Sequence, residues 1–296
     1  MSVPASPNYH AAGWFNLLMP GGGQLLLGDY GRAALEAGVE VSAGYIGFRL
    51  SKRAPLTLDG VPEALPVFQG RRKRGATLVS IDEAVYADLL QEVGIKAHLV
   101  DVFTSYREAA RRRGVTDHID QSTEWNLFMD PFRLENLTNP WVYGAIGAVA
   151  LSTVLDYFSA HNAGLPSTPR ITPYSNFLYS VNYEIWQPVG SGAPEEMFYR
   201  GFLQNELYDL LPSPFFSIPL ATAAFAFSHA PGPGRVTAAV AGAYLGYLAH
   251  KYDGKLGPGI TLHFWGVVML GIETVLLSHE SQHTTPPATM SVQINY

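Results

Sequence analysis

From residue 140 to residue 278 the chain carries only five cations, Arg170, Arg200, Arg235, Lys251 and Lys255; the other 14 of its 19 Lys and Arg residues come earlier. This later half is a succession of apolar stretches. "WVYGAIGAVALSTVLDYF" follows Pro140, and others cover 194–211, 215–230, 236–250 and 259–278. Measured against the ~20 residues that cross a bilayer, they read as membrane helices. Over the whole chain 47% of residues are hydrophobic and 15% charged, well below the usual share of charge in soluble domains. Twenty-nine glycines and 12% aromatics fit the same reading. Ala, Gly and Thr in 236–250 suit close helix packing in lipid. The expected fold class is therefore all-α: a polytopic membrane helix bundle around an intramembrane cavity.

The earlier half differs. Residues 14–48 are apolar but broken by Pro20 and Gly21–Gly23, which predicts a hairpin-like entry and then a helix over 32–49. Residues 51–138 form a polar, largely helical insertion between early segments. Ser80 and Glu83 make a capping-box pattern before one helix. A second helix ends in "YREAARRRG", with Gly114 closing it. The basic residues here put the insertion on the cytoplasmic side. The expected organisation is an N-terminal membrane-associated region (1–50), the polar insertion (51–138), the bundle (139–278) and a polar tail (279–296). The N-terminus lacks a basic stretch, so no cleavable signal peptide is expected. A net charge of −6 argues against a nucleic-acid partner. No cysteine is present, which excludes disulfides, thiol nucleophiles and Cys-ligated zinc.

Inside the apolar half lies "APEEMFYRG", residues 193–201. On a helix Glu196 and Arg200 are four apart and pair on one face. Glu195 points about 100° away, so the two acids can take different roles. A helix starting at Pro194 would also put Glu195 in the first turn, where the dipole favours its ionised form. Such a carboxylate is a candidate water-activating base or metal ligand. Two of nine histidines fall in late apolar segments: His229, ending "FAFSH", and His263, in "GPGITLHFWG". Ionisable groups at such depth point to function. One glutamate and two histidines on three helices can converge on a water or a metal ion. Singly, each has a plainer reading as a structural ion pair or a packed histidine. His250 and His279 fit that reading, and Glu273 fits a snorkelling role.

The ordered set resembles the CPBP family, which comprises CAAX prenyl endoproteases and bacteriocin-processing proteins. "EEMFYRG" matches that family's EExxxR motif and Phe225–His229 its FxxxH motif. His263 stands at the histidine of its last motif. The agreement runs over about 185–270. The resemblance implies peptide-bond hydrolysis in a membrane cavity, with Glu195 and His229 activating water. It implies that His263 stabilises the oxyanion or, in a metalloprotease description, that Glu195, His229 and His263 bind Zn²⁺. Glu196 and Arg200 would hold the site together and Phe225 would pack beside it. Where the family usually has Asn at the end of its last motif, this chain has Val267, which donates no hydrogen bond.

The expected function is an intramembrane endopeptidase in a prokaryotic inner (plasma) membrane. It would act near the C-terminus of a possibly prenylated protein or in a peptide precursor, so its partners are a peptide or lipidated protein and membrane lipid. A catalytically impaired scaffold or immunity protein is the alternative, and a small transporter a third. If every late helix were a full span, about 15 Å would separate Glu195 and His229 from His263 at 1.5 Å per residue. The Glu-Glu helix is therefore expected to begin inside the membrane, with 177–193 leading down to it.

Overall fold

The structure is a computed structural model that describes residues 8–53, 81–162, 187–229 and 231–280. Among these residues every regular element is helical. They are α1 (Tyr9–Leu18), α2 (Gly22–Leu26), α3 (Tyr30–Arg53), α4 (Ile81–Arg112), α5 (Glu124–Met129), α6 (Leu134–Leu137) and α7 (Pro140–Asn162). After these come α8 (Gln187–Glu196), a π-helical stretch (Met197–Leu203), α9 (Gln204–Leu210), α10 (Pro214–Phe227), α11 (Pro233–Lys251) and α12 (Gly257–Glu280). The all-α expectation holds. Among the described residues, no helix is long and apolar enough to cross a membrane.

Local chemistry explains most boundaries. The break between α1 and α2 falls at Pro20 and Gly21, where Gly21 adopts φ 72°. Ser213 caps α10 by accepting a hydrogen bond from the Phe215 backbone amide. Gly114 (φ 73°) closes α4 as its left-handed C-terminal residue. The two helices expected in the polar insertion are instead one, α4, spanning 32 residues. Gly94 lies inside it without breaking it. A Cβ there would come within 3.0 Å of the Glu40 carbonyl oxygen, so this glycine serves the close approach of α3 to α4. Ser80 lies outside the described residues, and the cap expected there with it.

A second correction concerns Pro194. It does not start a helix: α8 already runs from Gln187, and Pro194 sits inside it. Glu195 therefore lies near the end of α8, and a first-turn dipole cannot be what favours its charge. A proline in a helix lacks an N–H and crowds the carbonyl four residues back. Directly after it the backbone widens to π-helix through Met197–Leu203, a local form found often at functional sites.

The described part of the polar insertion, residues 81–138, packs against the helices of the later half through α4. α4 runs against α1, α3, α8 and the π-helical stretch. Its Val102, Phe103, Tyr106 and Ala110 join Leu127, Met197, Phe202, Leu256 and Ile260 in the largest buried apolar cluster. α12 packs on α7 and α8, and α10 pairs with α11. The outer surface is strongly apolar. Leu151 on α7, Phe215 and Phe227 on α10, and Val236 and Val240 on α11 are all mostly exposed.

Candidate active site

Glu195 and Glu196 end α8 with both side chains buried. Their surroundings differ sharply. Glu196 Oε1 accepts from Arg200 Nη1 at 2.9 Å and from His263 Nδ1 at 2.9 Å. Arg200 Nη2 donates in turn to the Gly242 carbonyl at 3.0 Å, and its guanidinium lies 4.5 Å above the Phe225 ring. Both Glu196 and Arg200 are 1% exposed at the side chain, so this is a fully desolvated ion pair joined by a hydrogen bond. Gly242 is what lets Arg200 reach α11: a Cβ there would lie 2.9 Å from Phe225 and 3.3 Å from Arg200 Nη2. One turn on, Gln204 repeats the pattern by donating to the Gly246 carbonyl at 3.1 Å.

Glu195 is differently placed. Its Oε1 receives the Lys96 ammonium from α4. Its Oε2 is buried and accepts no hydrogen bond from the described residues. That oxygen faces His263 Nε2 at 3.8 Å, beyond hydrogen-bond length. Because a carboxylate only accepts, the Glu196 contact fixes the proton of His263 on Nδ1 and turns Nε2 toward Glu195. The cationic or protonatable groups acting on Glu195 are Lys96, His263 and His229.

His229 follows the end of α10, and its Nδ1 donates to the Phe225 carbonyl at 2.8 Å. Phe225 stands between the histidines, with ring centroids 4.6 Å from His229 and 5.7 Å from His263, both edge-on. The structure thus gathers Glu195, Glu196, Arg200, His263 and Phe225 directly, with His229 across the same aromatic ring. The gap of about 15 Å that full spans would leave between Glu195 and His263 is absent, since Glu195 Oε2 lies 3.8 Å from His263 Nε2. Residues 163–186, and with them most of the approach expected over 177–193, lie outside the described residues. The side chains of Glu273 and His279 do as well, and His250 is exposed at the end of α11.

As a zinc site the three residues fit poorly. Zinc needs its ligand atoms each about 2.0–2.2 Å from the ion, hence mutually close. The ligand atoms of Glu195, His229 and His263 do not meet within 4.8 Å; among the described residues that proximity is reached only by His10, Glu206 and Asp209. One oxygen of Glu195 already holds a cation, Lys96. Sequence reasoning missed Lys96, since nothing in the spacing of "VGIKAHLV" ties it to a motif one hundred residues away. The one signal was its isolation as a charge between apolar residues.

Fold and site together define an all-helical protein with a buried carboxylate–imidazole centre suited to activating water. Residues 180–269 match the family described as type II CAAX prenyl endopeptidase Rce1-like. That match supports membership of the CPBP family, and the family implies a protease. No curated protein and no solved structure matches the chain.

Proposed function

We propose that this protein is a membrane-embedded endopeptidase that hydrolyses a peptide bond near the C-terminus of a prenylated protein or in a peptide precursor. The observation that carries the reading is the inequality of the two glutamates. Glu196 Oε1 receives Arg200 and His263, while Glu195 keeps a buried oxygen that accepts no hydrogen bond from the described residues and lies 3.8 Å from His263. A carboxylate so held is a base waiting for a proton. Glu195 Oε2 takes the proton of the attacking water as its oxygen bonds to the scissile carbonyl carbon and the C=O pair moves onto oxygen. Collapse then breaks the C–N bond, and the proton passes to the leaving amine. His263 Nε2, its ring oriented by Glu196, is the second acceptor at the water. His229, with Nδ1 committed to the Phe225 carbonyl, has Nε2 left to act as a further acceptor. No step is routed through a metal.

The apolar outer surface supports a lipid setting, since soluble monomers rarely expose large apolar patches. The family's name supports the substrate class. A scaffold without activity has two observations behind it: Val267 offers no hydrogen bond, and Lys96 sits on Glu195. Purified protein in detergent, incubated with a farnesylated CAAX peptide, its unlipidated twin and a mixed hydrophobic set, separates the two by mass spectrometry. New termini with wild type and none with Glu195→Gln support the protease, and EDTA is expected to leave them unchanged. No cleavage by folded wild type anywhere in the panel overturns it in favour of the scaffold.

A further inference from the structure

The proposed reaction creates a negative charge on the substrate carbonyl oxygen, and the motif-bearing helices hold little to meet it. Arg200 is committed to Glu196 and the Gly242 carbonyl, beneath which lies Phe225. Val267, one turn beyond His263 on α12, has no polar atom. His263 has its Nδ1 proton on Glu196. Among the described residues, the permanent cation paired with the Glu195 carboxylate is Lys96, delivered by α4 from outside the matched segment. Its ammonium has three N–H donors, and Glu195 Oε1 is its one hydrogen-bond acceptor among the described residues. The Glu195 carboxylate is thereby bracketed, with Lys96 on one oxygen and His263 opposite the other.

Resting on the protease reading above, we infer that Lys96 is the oxyanion donor of this enzyme. It replaces, from another helix, the hydrogen bond that Val267 does not supply. With water held at Oε2, the carbonyl oxygen points toward the Lys96 side of the carboxylate as the tetrahedral centre forms. The fixed ammonium there stabilises the charge that develops, in a site where little water competes. Its contact with Glu195 in the resting protein keeps two buried charges paired until substrate arrives.

Lys96→Met should lower kcat by about 10²–10³-fold with KM nearly unchanged, the signature of a contact made in the transition state. Val267→Asn added to Lys96→Met should restore at least tenfold of that loss, because a donor placed one turn from His263 supplies the same hydrogen bond. If Lys96→Met does not fold by circular dichroism, Lys96→Gln replaces it in both backgrounds, with a kcat loss of tenfold or more expected. Assays use whichever peptide of the panel the wild type cleaves. A Lys96 variant that keeps its plateau kcat and only moves the acidic limb of the pH–rate profile overturns the inference. Lys96 would then tune Glu195 alone, and the protease reading would survive. Failure of Val267→Asn to restore kcat in a folded double variant also overturns it. Wild type that cleaves no peptide overturns the protease reading itself, and this inference with it.

Discussion

Two of the imidazole–carboxylate pairs in this molecule, His98–Glu40 and His263–Glu196, lie in regions with different consequences. In the α3–α4 pair His98 Nδ1 lies 2.6 Å from Glu40 Oε2, and its Nε2 lies 3.1 Å from the Leu17 carbonyl. Both partners only accept, so both nitrogens donate and the ring is an imidazolium. It pins α1, α3 and α4 together. In the site, His263 has one nitrogen on Glu196 and the other turned to a Glu195 oxygen 3.8 Å away. The residue types are the same. What separates a structural histidine from a chemical one is whether a ring nitrogen is left over. The glutamates repeat the lesson: Glu196 Oε1 receives both Arg200 and His263, while Glu195 Oε2 receives no hydrogen bond from the described residues.

If that difference is real, the largest effect belongs to Glu195. Glu195→Gln should lower peptide cleavage per folded molecule by about 10²–10⁴-fold, the usual worth of a general base, and should also cost stability because the buried Lys96 ammonium loses its carboxylate. Cleavage per folded molecule that stays at the wild-type rate would erase the distinction between the two acids. Next comes the Glu196 side. Arg200→Met leaves Glu196 charged, buried and half-partnered, and should destabilise by about 3–5 kcal/mol in denaturant unfolding. A change below about 1 kcal/mol would mean that Glu196 is not held as described.

Gly242→Ala sharpens the same side more gently. The added Cβ forces Phe225 or Arg200 to shift, and about 1–3 kcal/mol of stability should go with it. The smallest effect tests the α3–α4 pair. The hydrogen bond to Glu40 raises the His98 pKa above its ordinary value, against the opposing effect of burial. A raised histidine contributes stability that is complete below the unfolded value of about 6.5 and lost as pH rises through the folded one. His98→Gln should cost about 1 kcal/mol at pH 6 and flatten the decline in melting temperature between pH 6 and 9, leaving cleavage per folded molecule unchanged. A pH dependence unaltered by the substitution would mean that His98 is not the group titrating.

Much of the site was legible because its decisive contacts are local or carried by motifs. Glu196 and Arg200 are four residues apart, so helical geometry brings them together, and His229 lies close enough behind Phe225 for a local contact past the end of α10. The helix boundaries at Pro20–Gly21, Ser213 and Gly114 are likewise written in residues with strong backbone or capping preferences. Less legible were the features that depend on what packs alongside. Gly94 reads as a helix breaker until α3 presses on it. Pro194 reads as a helix start until residues 187–193 are seen to be helical already and π-helix takes up the turn beyond.

The sequence by itself determined the helical class, the ordered set Glu195, Glu196, Arg200, His229 and His263, and the absence of a polar group at 267. Tertiary structure alone decided which glutamate receives His263, which nitrogen of His263 faces the other, and that Lys96 joins them. The reason is physical. A hydrogen bond within a helix turn is fixed by 1.5 Å of rise per residue, whereas one between helices depends on their relative placement. That placement follows from packing across the whole core, here of Val102, Phe103 and Tyr106 against Met197 and Phe202, and no short spacing encodes it.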